Sequence, residues 1–284
     1  MNAEDLTLVF PLRPGAGSLM ARILSFSARM FLPGGVRIVA IAPLHATPPA
    51  PETLDFLDEM EVERRAIPTP LLFRHNIGAL LKVDAAAAEY DTGRVLLLNP
   101  NCLFLQRTDL ADLPDPAGGF SACRTFRRTL FEGDTARALT TFAARRFGIP
   151  VAADGDGVGF ETCNSGVVLF SRGAALRGQW GRVAAEFLAA KIGGDDVPAE
   201  ADQLALGVLA ARAGAGFTRL PPHYNMLARD AGHATLAQYF SLAELIRSPR
   251  LREVLLSLAE AADERGLNLL GEIEPRDIRQ LARP

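Results

Sequence analysis

Four short aliphatic runs constrain this chain more than any other feature: Leu6–Leu12, Val36–Ala42, Arg94–Leu98 and Ser165–Phe170. A strand with one wet face alternates apolar and polar residues. These runs are apolar almost throughout, as strands are when both faces are covered in a parallel sheet between helical layers. The segments between them carry helical spacing. Ser18 is placed to cap a helix presenting Leu19, Ile23, Phe26 and Met30, and Pro33-Gly34-Gly35 breaks it. A short helix is expected over Leu54–Met60 and an edge strand over Val62–Ile67, with Glu63 and Arg65 on its polar side. One long helix is expected over Leu71–Glu89. Strand–helix–strand–helix–strand is the order of an α/β sheet wound on both sides.

The second half is less regular. Strands are expected at Gly118–Cys123 and Gly216–Leu220, and helices at Thr135–Phe147, through Trp180, Val183, Phe187 and Leu188, and at Ala201–Ala213. Helical spacing returns across Leu242–Arg265 and at Pro275–Ala282, while Asp154-Gly155-Asp156-Gly157 reads as a turn. With no internal repeat or low-complexity linker, the expected partition is one α/β domain over 1–240 and a helical appendage over 241–284.

The 284 residues carry 30 basic and 33 acidic side chains, a formal net charge of −3. That argues against a nucleic-acid footprint, because Lys82 and Lys191 are the only lysines and the arginines are scattered rather than clustered. An apolar content of 49% supports a sizeable core and excludes both disorder and a disulfide-stapled mini-fold. Cys102, Cys123 and Cys163 are odd in number and lack CxxC spacing, as expected of buried thiols in a reducing compartment. The start Met1-Asn2-Ala3-Glu4-Asp5 lacks the basic residues of a secretory signal, and no apolar run approaches the roughly 20 residues that span a bilayer. A cytoplasmic protein without a transmembrane segment is expected.

Ligands of open α/β sheets bind at the carboxyl ends of the strands. Three such ends stand out: Arg13-Pro14-Gly15-Ala16-Gly17-Ser18, Pro43-Leu44-His45 and Asn99-Pro100-Asn101. The first fails as a dinucleotide fingerprint. Met20 stands where the third small residue belongs, and Ala42-Pro43 supplies no acid for a ribose hydroxyl. No phosphate-loop Gly-Lys-[Ser/Thr] exists, and neither a Ser-His-Asp order nor a zinc spacing emerges.

The third end is the most informative. The run Tyr90-Asp91-Thr92-Gly93-Arg94-Val95-Leu96-Leu97-Leu98-Asn99-Pro100-Asn101-Cys102-Leu103-Phe104 closely resembles the segment carrying the Asp-x-Asp motif of GT-A glycosyltransferases, with Lys82 at the position of a helical Lys. Downstream, Cys163-Asn164-Ser165-Gly166 is similar to the Asn-[Ala/Ser]-Gly strand of glycosyltransferase family 8. Ala201-Asp202-Gln203 is similar to its Asp-Gln helix start, and Leu220-Pro221-Pro222-His223-Tyr224-Asn225 to its Leu-Pro-x-x-[Tyr/Trp]-Asn segment. The resemblance covers roughly residues 5–240 in family order. It implies a GT-A-like mixed sheet flanked by helices. It also implies transfer of a sugar from a nucleotide-diphosphate donor, a UDP-sugar first, to a hydroxyl on a glycan, lipid or protein, with retention of configuration. Asn164, Ser165 and Gly166 would then face the donor sugar, Asp202 would bond its hydroxyls and Gln203 would stand near the reacting centre. Lys82 and His223 complete the implied donor-site set. In such a reaction the leaving phosphate assists the incoming hydroxyl, and the protein positions and stabilises charge. Asp202 reads independently as an N-cap for a helix starting at Ala201.

The departures matter as much. Where the family has two Asp this chain has Asn99 and Asn101, and where a late His is expected it has Gln238, with His233 a few residues earlier. These four are the candidate ligands for Mn²⁺ or Mg²⁺. Exchanging two carboxylates for amides removes two formal charges of the kind that hold a hard cation. Arginines are then expected to offset the diphosphate, Arg13 first, then Arg74 and Arg172, helped by backbone amides after Gly15. Two main readings stay open: a metal-independent glycosyltransferase, and a catalytically degenerate relative that binds a nucleotide sugar, glycan or partner protein without turnover. A nucleotidyltransferase is a third, whose Gly-rich basic loop is loosely present and whose carboxylates are not.

Overall fold

The computed structural model describes residues 3–114, 118–125, 131–152, 157–171, 174–192, 196–273 and 278. Its strands are β1 (Leu6–Pro11), β2 (Arg37–Pro43), β3 (Val62–Ile67), β4 (Arg94–Leu98), β5 (Cys102–Phe104), β6 (Phe120–Arg124), β7 (Cys163–Phe170), β8 (Phe217–Arg219), β9 (Met226–Leu227) and β10 (Leu236–Gln238). Its helices are α1 (Ala16–Phe31), α2 (Pro51–Glu59), α3 (Pro70–His75), α4 (Leu80–Ala87), α5 (Gly133–Phe147), α6 (Ala174–Ala190), α7 (Asp196–Ala213), α8 (Leu242–Arg247) and α9 (Pro249–Asp263). The chain divides into two compact units. Unit one comprises Met1–Ala66, Leu98–Leu113 and Pro221–Pro284; unit two comprises Ile67–Leu97 and Pro114–Leu220.

Unit one is built on strands in the order β3-β2-β1. β1 is buried along its whole length and runs parallel to β2, with Leu8 opposite Ile38 and Phe10 opposite Ala40. The apolar runs form these strands because only a doubly covered position removes every one of their side chains from water. β3 ends the order and carries the expected charged alternation: Glu63 meets Arg37 at 2.6 Å and also pairs with Arg65. Charge on an exposed edge discourages pairing with another chain. α1 buries Ile23, Leu24 and Phe26, and its buried Ser25 and Ser27 satisfy their hydroxyls on the carbonyls of Arg22 and Leu24. The Arg29 guanidinium donates to the carbonyls of Met60, Val36 and Glu61, each at 2.9 Å, so one side chain ties α1 to the end of α2 and the start of β2. A smaller sheet, β5-β10-β9, lies in the same unit; β10 is antiparallel to β5 and parallel to β9.

Unit two carries strands in the order β4-β7-β6-β8. β6 runs antiparallel to β7 and parallel to β8, with an irregularity at Cys123. β7 is buried throughout, α7 packs on it, and α6 packs on both α7 and α4. The core is aromatic: Phe170 lies 5.9 Å from Trp180, and Phe120 lies 5.0 Å from Phe217.

Several local expectations change. The helix expected over Leu71–Glu89 is two helices, because Asn76 adopts a left-handed conformation (φ 51°) and closes α3 by donating its N–H to the Leu72 carbonyl. Asp84 of α4 then accepts the N–H groups of Leu71 and Leu72, holding the start of α3. Ser18 is not the cap of α1; Gly15 is, with φ 69°, and the Ser18 hydroxyl reaches back to the Arg13 carbonyl. The helix across Leu242–Arg265 is interrupted at Ser248-Pro249, since Pro cannot donate the next helical hydrogen bond. The stretch 241–284 falls in unit one, where α9 packs on α1. Asp154-Gly155-Asp156 and all of Pro275–Ala282 except Ile278 lie outside the described residues. Among the described residues no helix is long and apolar enough to cross a membrane.

Candidate functional site

Unit two brings three of the expected residues into one buried cluster. Lys82 projects from α4, Ser165 from β7 and Asp202 from α7. The Lys82 ammonium lies 2.8 Å from Asp202 Oδ2 and donates to Ser165 Oγ at 2.6 Å, while the Ser165 hydroxyl donates to the same Oδ2 at 2.7 Å. Side-chain exposure is 6% for Lys82 and 2% for Asp202, so this ion pair is desolvated. A buried pair persists only when extra hydrogen bonds complete it, and Ser165 supplies them. The Asp202 backbone is pinned as well, its carbonyl accepting Trp180 Nε1 at 2.8 Å. Both of these side-chain contacts go to Asp202 Oδ2.

Asn164 and Gly166 both lie inside β7, which begins two residues before the expected run. Asn164 Oδ1 accepts the Gly166 N–H at 2.7 Å, two residues on, which fixes the amide plane. Asp202 is interior to α7, which begins at Asp196, so it is not the N-cap of this helix. The same shift exposes a partner that the expected start at Ala201 concealed: Glu200 lies one turn before Gln203 and accepts from its Nε2. With the amide nitrogen held there, Gln203 presents its carbonyl oxygen elsewhere.

Of the remaining candidates, Arg13, Asn99, Asn101, His223, His233 and Gln238 lie in unit one. Asn101 follows β4 and clasps the end of β10: its Nδ2 donates to the Tyr239 carbonyl at 2.6 Å, and its own carbonyl accepts the Tyr239 N–H at 3.0 Å. Gln238 sits opposite Cys102 in the β5–β10 ladder; it is 4% exposed, and its Oε1 has no partner among the described residues. The neighbouring Tyr239 hydroxyl is also buried without a partner among the described residues, and burial pushes its phenol well above the ordinary range. His223 and His233 do not join this group. They line a separate cavity beyond the other end of the ladder, where Leu105 N–H meets the Thr235 carbonyl. Arg13 is exposed after β1, Arg74 is exposed at the end of α3, and Arg172 lies outside the described residues.

These residues do not suit a divalent cation. Asn99, Asn101 and Gln238 are neutral amides, which carry no formal charge to offset a cation. Among the described residues no group of three or more His, Cys, Asp or Glu side chains is placed to hold a metal. Mn²⁺ and Mg²⁺ need anionic oxygen to offset their dehydration, and amide oxygens alone do not provide it.

No family model and no curated protein sequence matches the chain. Solved structures do. A galactosyltransferase, LgtC, in complex with donor and acceptor sugar analogues superposes with a TM-score of 0.57 over 92% of this chain and 99% of that one, at 12% identity. An active-site Gln-to-Glu variant of LgtC matches with a TM-score of 0.54 at 12% identity, covering 90% of this chain and 95% of that one. The fold is GT-A-like. At this identity the likeness concerns the GT-A architecture itself: mixed strands, flanking helices and connectivity.

Proposed function

We propose that the protein is a glycosyltransferase that moves a sugar from a nucleotide-diphosphate donor, a UDP-sugar by preference, to a hydroxyl acceptor. The observation that carries this reading is the buried Asp202 carboxylate, held rigid through Oδ2 by Lys82 and Ser165. A preorganised, desolvated carboxylate suits sugar hydroxyls, which donate to it without the reorganisation that water would demand. Asn164 and Gly166 on the adjoining strand, and Gln203 one residue along α7, are assigned to the same donor sugar. Retention follows from the resemblance to family 8. The amide donor set supports a reaction without a resident cation. The negative charge of the departing diphosphate is assigned to arginine, Arg13 first, whose planar fork matches phosphate oxygens.

A second reading is favoured by one observation, the replacement of both acids by Asn99 and Asn101. In it the protein binds a nucleotide sugar, a glycan or a partner protein and does not turn over. One experiment separates the two. Purified protein is incubated with UDP-, GDP- and CMP-sugars in EDTA, and nucleotide release is followed with and without saccharide acceptors. The proposal expects release from a UDP-sugar that is lost in a folded Asp202→Asn variant. Donor binding without release supports the degenerate reading, and no binding of any donor rejects both.

A further inference from the structure

α6 contributes no side chain to the Lys82–Ser165–Asp202 cluster, yet it packs on both α4, which carries Lys82, and α7, which carries Asp202. Two adjacent residues of α6 make the decisive approaches. Trp180 is the chain's single tryptophan and is fully buried. Its ring packs against Phe170 at the end of β7, with centroids 5.9 Å apart, and its Nε1 donates to the Asp202 carbonyl at 2.8 Å. At Gly181 an added Cβ would lie 3.3 Å from Leu71 Cδ1 and 3.7 Å from Val83 Cγ1, so the missing side chain lets α3 and α4 come close. Val83 follows Lys82 in α4. One turn of α6 thus touches the backbone of one ion-pair partner and the chain neighbour of the other.

Burial alone asks only that an indole N–H find an acceptor. The acceptor here is the carbonyl of the very α7 residue whose carboxylate meets Lys82. A carbonyl has two lone pairs, so a helix interior can take a side-chain donor without giving up its own ladder. The tie holds α7 against sliding or turning on α6 at the residue where either motion would carry Oδ2 away from Lys82 and Ser165. The pair is desolvated, so water does not make good a lost contact. A misplacement of about 1 Å at a group that holds a substrate costs roughly a hundredfold in rate.

We propose that Trp180 is a positioning residue for the Asp202 carboxylate. Its effect on donor affinity rests on the reading of Asp202 as a donor-sugar residue; its effect on the ion pair stands without that reading. The first measurement is a double-mutant cycle on the full chain in urea. Trp180→Phe removes the N–H and keeps a ring, and Lys82→Met removes the ion-pair partner. Independent roles add, whereas roles coupled through Asp202 do not. Lys82→Met is expected to lower the folding equilibrium constant about tenfold less in the Trp180→Phe background than in wild type. Additive effects overturn the proposal. If either variant does not fold, the indole N–H resonance of the isotope-labelled wild type, a single signal from a single tryptophan, is compared with that of folded Ser165→Ala. Loosening Oδ2 is expected to displace the resonance through Asp202, and an unmoved resonance overturns the proposal. The second measurement is titration of folded Trp180→Phe with UDP-sugars, where affinity is expected to fall about tenfold. Unchanged affinity overturns the proposal. If wild type binds no donor, it is the donor-sugar reading of Asp202 that fails, and the cycle alone decides the positioning role.

Discussion

In the proposed reaction Asp202 meets a sugar as a side chain held still by Lys82 and Ser165. Burial makes the pair a stability hazard. Removing one member of a desolvated ion pair leaves its partner uncompensated, which costs roughly 3–5 kcal/mol, whereas replacing both with apolar groups is often close to neutral. Lys82→Met should therefore lower stability by about that amount in urea denaturation, and the double variant Lys82→Met/Asp202→Leu should recover most of it. Recovery of stability without recovery of donor binding would separate the structural role of the cluster from its ligand role. Ser165→Ala should fall between wild type and Lys82→Met, because the direct contact at 2.8 Å survives it. Lys82, Ser165 and Asp202 were each singled out in the sequence by resemblance to known motifs. Their mutual contact was not, since positions 82, 165 and 202 are far apart in the chain and only packing brings them together.

At the scale of elements, two close approaches decide where helices lie. A Cβ on Gly207 of α7 would sit 2.3 Å from the Glu161 carbonyl and 3.2 Å from the Phe160 ring. Gly207→Ala should therefore destabilise by about 1–3 kcal/mol despite its better helix propensity, read as a lower thermal midpoint. The cap on α3 gives a pH prediction. Burial raises the Asp84 carboxyl above its ordinary value, although the N–H groups of Leu71 and Leu72 pull the other way. A raised carboxyl makes its full contribution at pH below the unfolded value and loses it as pH rises through the folded one. Urea midpoints of Asp84→Asn should accordingly show a shallower fall than wild type as pH climbs out of the acidic range. Most strands were legible because a run such as Leu6–Pro11, buried on both faces, has no other stable placement. The break between α3 and α4 was not, because Asn76 is an ordinary residue until the Leu72 carbonyl needs a partner. The start of α7 was hidden for a related reason: Pro198 reads as a breaker in a sequence, yet it is tolerated in the first helical turn.

For the whole molecule, mixed strands with helical cover account for the burial of all three thiols. Cys102, Cys123 and Cys163 are all buried, and burial pushes Cys123 and Cys163 up to about 12. Thiolate, not thiol, reacts with alkylating agents. Native protein should thus resist iodoacetamide near neutral pH, and labelling should track global unfolding in urea; rapid labelling of any of the three in native conditions would contradict the described packing. The GT-A-like architecture was legible from four motifs in order. Asn99 and Asn101 stand where the resemblance implies two carboxylates, and what would offset a diphosphate's charge is not a matter of sequence order. The most direct measurement is isothermal titration of the full chain with UDP-sugars in EDTA, repeated with excess Mn²⁺ and with a folded Asp202→Asn variant. The account predicts binding in EDTA that Mn²⁺ leaves unchanged and Asp202→Asn abolishes. Binding that appears only with Mn²⁺, or that ignores the loss of the Asp202 charge, would contradict it.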